Sequence, residues 1–180
     1  MINEIKEILI DEETIKETVN TLAGRINEDY KGRNIVLLVI LKGSFVFAAD
    51  LARKLDMDVS MEFMQVSSYG SGSVSSGEIK IIKDAQIDLN GRDVIIAEDI
   101  IDSGNTLKAL ARLLQKRGAN VEICTLLSKP SRREVHVDVK YTGIEIPDEF
   151  VVGYGLDYDE KFRSLPYIGI LKREVYTEGI

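Results

Sequence analysis

Three carboxylates fall within five residues, Glu98, Asp99 and Asp102, and the turn Ser103-Gly104-Asn105-Thr106 follows directly. The apolar run Val94-Ile95-Ile96-Ala97 enters this stretch and an amphipathic pattern begins at Leu107, which predicts strand, acidic pair, tight loop and helix in that order. Small and hydroxyl side chains in the turn let its backbone N–H groups close around an anion at the start of a helix, where the dipole also favours negative charge. Three carboxylates beside that anion would repel it unless Mg²⁺ or sugar hydroxyls engaged them. A sugar phosphate with bound metal satisfies both ends. The plainer alternative makes Asp102-Ser103 a helix N-cap and Glu98-Asp99 a solvated strand end, but it leaves the density of carboxylates unexplained. Neither Gly-x-x-x-x-Gly-Lys-Ser/Thr nor a Gly-x-Gly-x-x-Gly after a strand occurs, which disfavours an ordinary P-loop NTPase or dinucleotide enzyme.

The rest of the chain has to bring other groups to that turn. Residues 12–30 carry Ile15, Val19, Leu22, Ala23 and Ile26 at helical spacing, opened by Thr14 and Glu17 in capping-box register and stopped by Lys31-Gly32. Ile35 to Leu41 is continuously apolar, as in a parallel strand covered on both faces. Lys42-Gly43-Ser44 then leads into a helix predicted to turn Phe45, Ala48, Ala52 and Leu55 inward. Strand patterns follow at 59–66 and 78–83, and the Ser/Gly-rich segment 67–77 between them has too little apolar surface to offset the entropy of ordering. Asn90-Gly91 turns the chain into the acidic strand. The helix after it shows Leu107, Leu110, Ala111 and Leu114 on one face and is closed by Gly118. Val121 to Leu127 is the next strand and delivers Lys129 to the sheet end beside Asp102, where ligands collect in open parallel sheets. Val135 to Tyr141 alternates as a half-buried strand does.

These patterns predict an α/β fold: a doubly wound, mainly parallel central sheet with flanking helices, in a single domain over 1–180. Residues 1–11 and 150–180 are expected to form a small hood over its edge. The net charge of −7 gives no sequence-wide basic field, which argues against a nucleic-acid partner. No run approaches the roughly 18 apolar residues of a membrane span, and the N-terminus lacks a basic region followed by a long apolar core, so a cytoplasmic protein with no membrane partner is expected. The lone Cys124 lies in an apolar run and reads as a buried strand residue, and His136 as structural.

The run Val94 to Leu107 resembles the phosphoribosyl-diphosphate (PRPP) motif of type I phosphoribosyltransferases. Four further segments resemble their hypoxanthine-guanine branch: Leu41-Lys42-Gly43-Ser44, Ser68-Tyr69-Gly70, Leu127-Ser128-Lys129-Pro130, and Phe150 to Tyr158 running on to Phe162-Arg163. The resemblance implies transfer of 5-phosphoribose from PRPP to hypoxanthine or guanine, in purine salvage, with Mg²⁺ as cofactor. It implies that Asp102, Ser103, Gly104, Asn105 and Thr106 hold the 5-phosphate, with Asp102 also serving the proton at purine N7. Glu98 and Asp99 would face the ribose hydroxyls and a metal, and Asp157 would ligate a second Mg²⁺ on the pyrophosphate. Lys42, Gly43 and Arg163 would complete the pyrophosphate pocket, with a non-proline cis peptide before Lys42. Lys129 would donate to the purine 6-oxygen, Phe150 and Ile100 would sandwich the ring, and the Val151 backbone would read its edge. Segment 67–77 would be a lid carrying Ser68 and Tyr69. Family members usually assemble as a homodimer or homotetramer and use small-molecule substrates only.

Two features depart from the family pattern. Asn105 stands where lysine is often found, and Pro130 follows Lys129 directly and restricts its backbone. Two rivals remain at the level of sequence. A regulatory protein on the same scaffold would need a basic face, for which Lys129, Arg132 and Arg133 are the only tight cluster near the turn. A sibling enzyme could use adenine, uracil or xanthine, although Lys129 with Phe150 argues against the first two.

Overall fold

The computed structural model describes residues 3–68 and 79–177. In chain order its elements are β1 (Ile5–Ile10), α1 (Glu12–Asp29), β2 (Ile35–Ile40), α2 (Phe45–Ala52), β3 (Val59–Ser68), β4 (Ile79–Lys83) and β5 (Asp93–Ile101). They continue with α3 (Asn105–Lys116), β6 (Asn120–Ser128), β7 (Tyr141–Glu145), β8 (Val151–Val152), β9 (Ile168–Leu171) and α4 (Arg173–Thr177). The main sheet runs β4-β3-β2-β5-β6-β7. Every pairing in it is parallel except the β3–β4 hairpin at the edge. The expected doubly wound sheet is therefore what forms.

All six residues of β2 are buried, because the side chains of a strand alternate between faces and both faces are covered. Leu37 and Val39 pack with Ile95 and Ala97 against Val19, Leu22 and Ile26 of α1 and Phe47 and Leu51 of α2. Val36 and Leu38 pack with Val94 and Ile96 against Leu107, Leu110 and Leu114 of α3 on the opposite face. A smaller antiparallel sheet, ordered β1-β9-β8, joins the two ends of the chain, with Ile5, Val152 and Leu171 at its core.

The structure corrects three local expectations. Asp11, not Thr14, caps α1: its Oδ1 accepts the Thr14 N–H at 2.8 Å. In α2 the buried residues are Phe47, Ala48 and Leu51, while Phe45 is 45% exposed. Positions 47, 48 and 51 share one side of a helix turning 100° per residue, and Phe45 stands almost opposite Phe47. The segment from Val135 to Val139 is not a strand; β7 begins only at Tyr141. Its alternation is real as burial, since Val137 and Val139 pack onto the α3-side core, but the segment runs without ladder partners.

Candidate active site

The acidic stretch ends β5, and the chain leaves it through Gly104, whose φ of +84° is a left-handed conformation that glycine adopts without steric cost. The turn that results opens α3, so the free N–H groups of the first helical turn and the positive end of the dipole face the sheet end. A cavity of about 340 Å³ lies there, lined by Gly43, Glu98, Asp99, Ile100, Asp102, Ser103, Gly104 and Thr106 among others. The β2–β5 register explains why Gly43 joins them. These parallel neighbours pair Val39 with Ala97, so the loops after both strands emerge side by side at the same sheet edge.

Glu98 and Asp99 crowd that edge. Burial pushes both carboxyls up, and the Asp99 charge adds to the rise at Glu98. At Asp99 burial is partly offset by hydrogen bonding from Glu98 and from the Ile100 N–H, which Asp99 Oδ1 accepts at 2.8 Å. The pair therefore favours one shared proton over two bare charges. Gly43 packs directly against the Asp99 carboxylate, and a Cβ there would overlap Oδ2. Gly155, at φ +101°, packs in turn on the Gly43 carbonyl. The Leu41–Lys42 peptide is cis, as the sequence resemblance implied. The Lys42 side chain itself is exposed and pairs with Glu160 at 3.0 Å.

Asp157 lies in the turn-rich segment after β8. It pairs with Arg163 at 2.9 Å, and its other oxygen accepts the Glu160 N–H at 2.9 Å. Arg163 also donates to the Gly155 carbonyl at 2.8 Å, which ties this segment to the Gly43 loop. Asp102 is about half exposed and lies 3.6 Å from Arg132 Nε. Lys129 is buried, at 8% exposure, and its N–H donates to the Ile101 carbonyl at 3.0 Å, directly beside Asp102.

The remaining expected residues are distributed less simply. Asn105 turns its amide to Glu134 at 2.6 Å and is not among the cavity-lining residues. Phe150, 37% exposed, packs edge-on to Tyr158 and stacks on Tyr176 of α4 at 5.0 Å between ring centroids. Val151 is buried in β8. Ser68 ends β3 and its backbone pairs with Ile79. Its side chain, Tyr69 and the rest of the expected lid after Ser68 lie outside the described residues.

The model of the phosphoribosyl transferase domain family matches residues 6–159. The chain belongs to the phosphoribosyltransferase family. It is 50% identical over 178 residues to the hypoxanthine-guanine phosphoribosyltransferase of Staphylococcus aureus, covering 98% of this chain and 99% of that one. It is also 50% identical over 179 residues to the bifunctional protein TilS/HprT of Listeria monocytogenes, of whose length it spans 28%. The crystal structure of a hypoxanthine phosphoribosyltransferase from Staphylococcus aureus superposes with a TM-score of 0.93 at 50% identity, covering 97% of this chain and 96% of that chain. In this phosphoribosyltransferase, sequence reasoning assigned no site role to Gly155, Glu160, Tyr176, Arg132 or Arg133. The two arginines were visible only as a basic cluster. Their distance from Lys129, three and four residues, was the signal that they belong to the same sheet end.

Proposed function

We propose that this phosphoribosyltransferase transfers the 5-phosphoribosyl group of PRPP to hypoxanthine or guanine, giving the nucleotide and pyrophosphate. The observation that carries the proposal is the 50% identity, over nearly the full length of both chains, to a protein named for that activity. The position of Lys129 supports it. A lysine whose stem is buried and whose ammonium is uncommitted beside the phosphate turn suits a 6-oxo group and loses its partner when the base presents a 6-amino donor.

On this reading the turn 102–106 binds the 5-phosphate by its N–H groups and hydroxyls, and Asp102 takes or holds the N7 proton so that N9 becomes the better nucleophile. The cavity edge formed by Glu98 and Asp99 receives the ribose hydroxyls. Gly43, Lys42 and Arg163 surround the pyrophosphate, Ile100 and Phe150 flank the base, and the Val151 backbone reads its edge.

Mg²⁺ fits the donor set. Glu98 and Asp99 are hard oxygen donors whose mutual repulsion a divalent cation would relieve, and Asp157 offers one carboxylate held in place by Arg163. Among the described residues no three acidic, histidine or cysteine side chains gather as a metal cluster; Mg²⁺ ordinarily takes one or two carboxylates and completes its shell with substrate phosphates and water. When bound, it would neutralise charge on the departing pyrophosphate. We further infer a cytoplasmic protein acting as a homodimer or homotetramer, with residues 1–11 and 150–180 as the hood. No helix among the described residues is long and apolar enough to cross a membrane.

The test is a steady-state assay with PRPP and Mg²⁺, offering hypoxanthine, guanine, xanthine, adenine and uracil separately and following nucleotide and pyrophosphate. Turnover of hypoxanthine and guanine, lost in Asp157→Ala, is the expected result. Failure to turn over any base while PRPP still binds would overturn the proposal.

A further inference from the structure

We propose that Arg133 is a positioning residue for the 5-phosphate, supplying from behind the turn the positive charge that the turn itself lacks. The proposal rests on the reading of residues 102–106 as the phosphate site. That turn contains one acid and no base, and Glu98 and Asp99 add further negative potential at the cavity edge. A phosphate monoester dianion placed there needs a cation near by. The first basic residue of α3 is Lys108, a turn further on. Arg132 is exposed and shared between Asp102 at 3.6 Å and Asp148 at 3.8 Å.

Arg133 is placed differently. Its side chain lies over the side-chain position of Gly104 together with Val137: a Cβ on residue 104 would lie 2.8 Å from Val137 Cγ2, 3.3 Å from Arg133 Cδ and 3.4 Å from NH1. NH2 donates to the Ser128 hydroxyl at 2.9 Å, whereas NH1 is buried and has no hydrogen-bond partner among the described residues. The segment that carries it is laced to the turn: Glu134 N–H donates to the Ser103 carbonyl at 3.0 Å, and the Asn105 amide donates to Glu134 Oε2 at 2.6 Å. Burial disfavours the guanidinium charge, and the charge of Asp102 only partly restores it. A partly buried cation whose NH1 donor is buried and unused, set against this loop, is costly until a second negative charge arrives at the loop. A dianion in the turn provides that charge. The same geometry explains how Asn105 can be spent on Glu134: the cation comes from the far side of the loop, and the asparagine fastens the segment that brings it.

The experiment compares wild type with Arg133→Lys, Arg133→Gln and Arg133→Met, measuring calorimetric affinities for GMP and guanosine, KM for PRPP, kcat and thermal midpoint. Removing the charge is expected to weaken GMP binding and raise the PRPP KM roughly tenfold, as for one partly screened ionic contact. Guanosine affinity stays unchanged and kcat stays within about threefold; Lys restores part of the loss and Gln does not. A GMP-to-guanosine affinity ratio that is the same in Arg133→Gln as in wild type overturns the proposal, however far the midpoint falls. The Lys and Gln variants decide the matter if Met fails to fold. Wild-type protein that binds GMP no better than guanosine would refute the phosphate-site reading itself, which is a separate outcome.

Discussion

Replacing Lys129 by Met separates recognition from stability, because the proposed function makes use of the ammonium while the fold packs the stem. The residue is 8% exposed, so its methylene stem is packed, and methionine fills nearly the same volume without a cavity. The ammonium makes no hydrogen bond or ion pair with a described residue, so its removal orphans no protein group. Stability should therefore change by no more than about 1 kcal/mol, a midpoint shift of roughly 2–4 °C for a chain of this size. The substrate complex, in contrast, loses a charge-assisted hydrogen bond to the 6-oxygen, about 1.5–3 kcal/mol, which lowers kcat/KM for hypoxanthine roughly 10- to 150-fold. Discrimination against adenine should narrow by a similar factor, since the rejecting group has gone. Thermal denaturation together with initial rates at varied base and saturating PRPP measures all three. An unchanged kcat/KM for hypoxanthine would show that Lys129 does not read the base. A midpoint fall well beyond 4 °C would show that the ammonium is holding the fold together.

Two further predictions concern the acidic edge. Glu98 has a folded-state carboxyl raised above its ordinary value, so its contribution to stability is fully present below the ordinary glutamate range and is lost as pH rises through the folded value. Urea titrations of metal-free protein across that window should show stability declining with pH in wild type and a flatter profile in Glu98→Gln; identical slopes would refute the buried-proton account. Gly43→Ala drives a methyl into the Asp99 carboxylate and should cost about 1–3 kcal/mol of stability and weaken PRPP binding together; a variant with wild-type denaturation midpoint and wild-type PRPP KM would show that the contact yields freely.

What could be read from the chain alone was what local chemistry decides. The apolar run of β2, the strand-turn-helix around Glu98 to Leu107 and the helical spacing of α1 and α3 are periodic signals carried within a dozen residues, and each formed where expected. The residues lining the cavity from β5 and its turn were legible for the same reason, since they are neighbours in sequence before they are neighbours in space. The tertiary structure decided what depends on partners. Val135 to Val139 has the alternation of a strand but no strand beside it, so it remained an extended segment covering the α3-side core. The face of α2 was set by packing against β2 and β5, which turned Phe47 and Leu51 inward and left Phe45 outside. The contact of Gly43 with Asp99, the pairing of Asp157 with Arg163, the stacking of Tyr176 on Phe150 and the approach of Arg133 to Gly104 join segments up to 56 residues apart. No periodicity encodes such meetings. The meetings of Gly43 with Asp99 and of Arg133 with Gly104 follow from the parallel order of β2, β5 and β6, which gathers the loops after these strands at one end of the sheet, whereas the other two form where the chain after β7 folds back on itself.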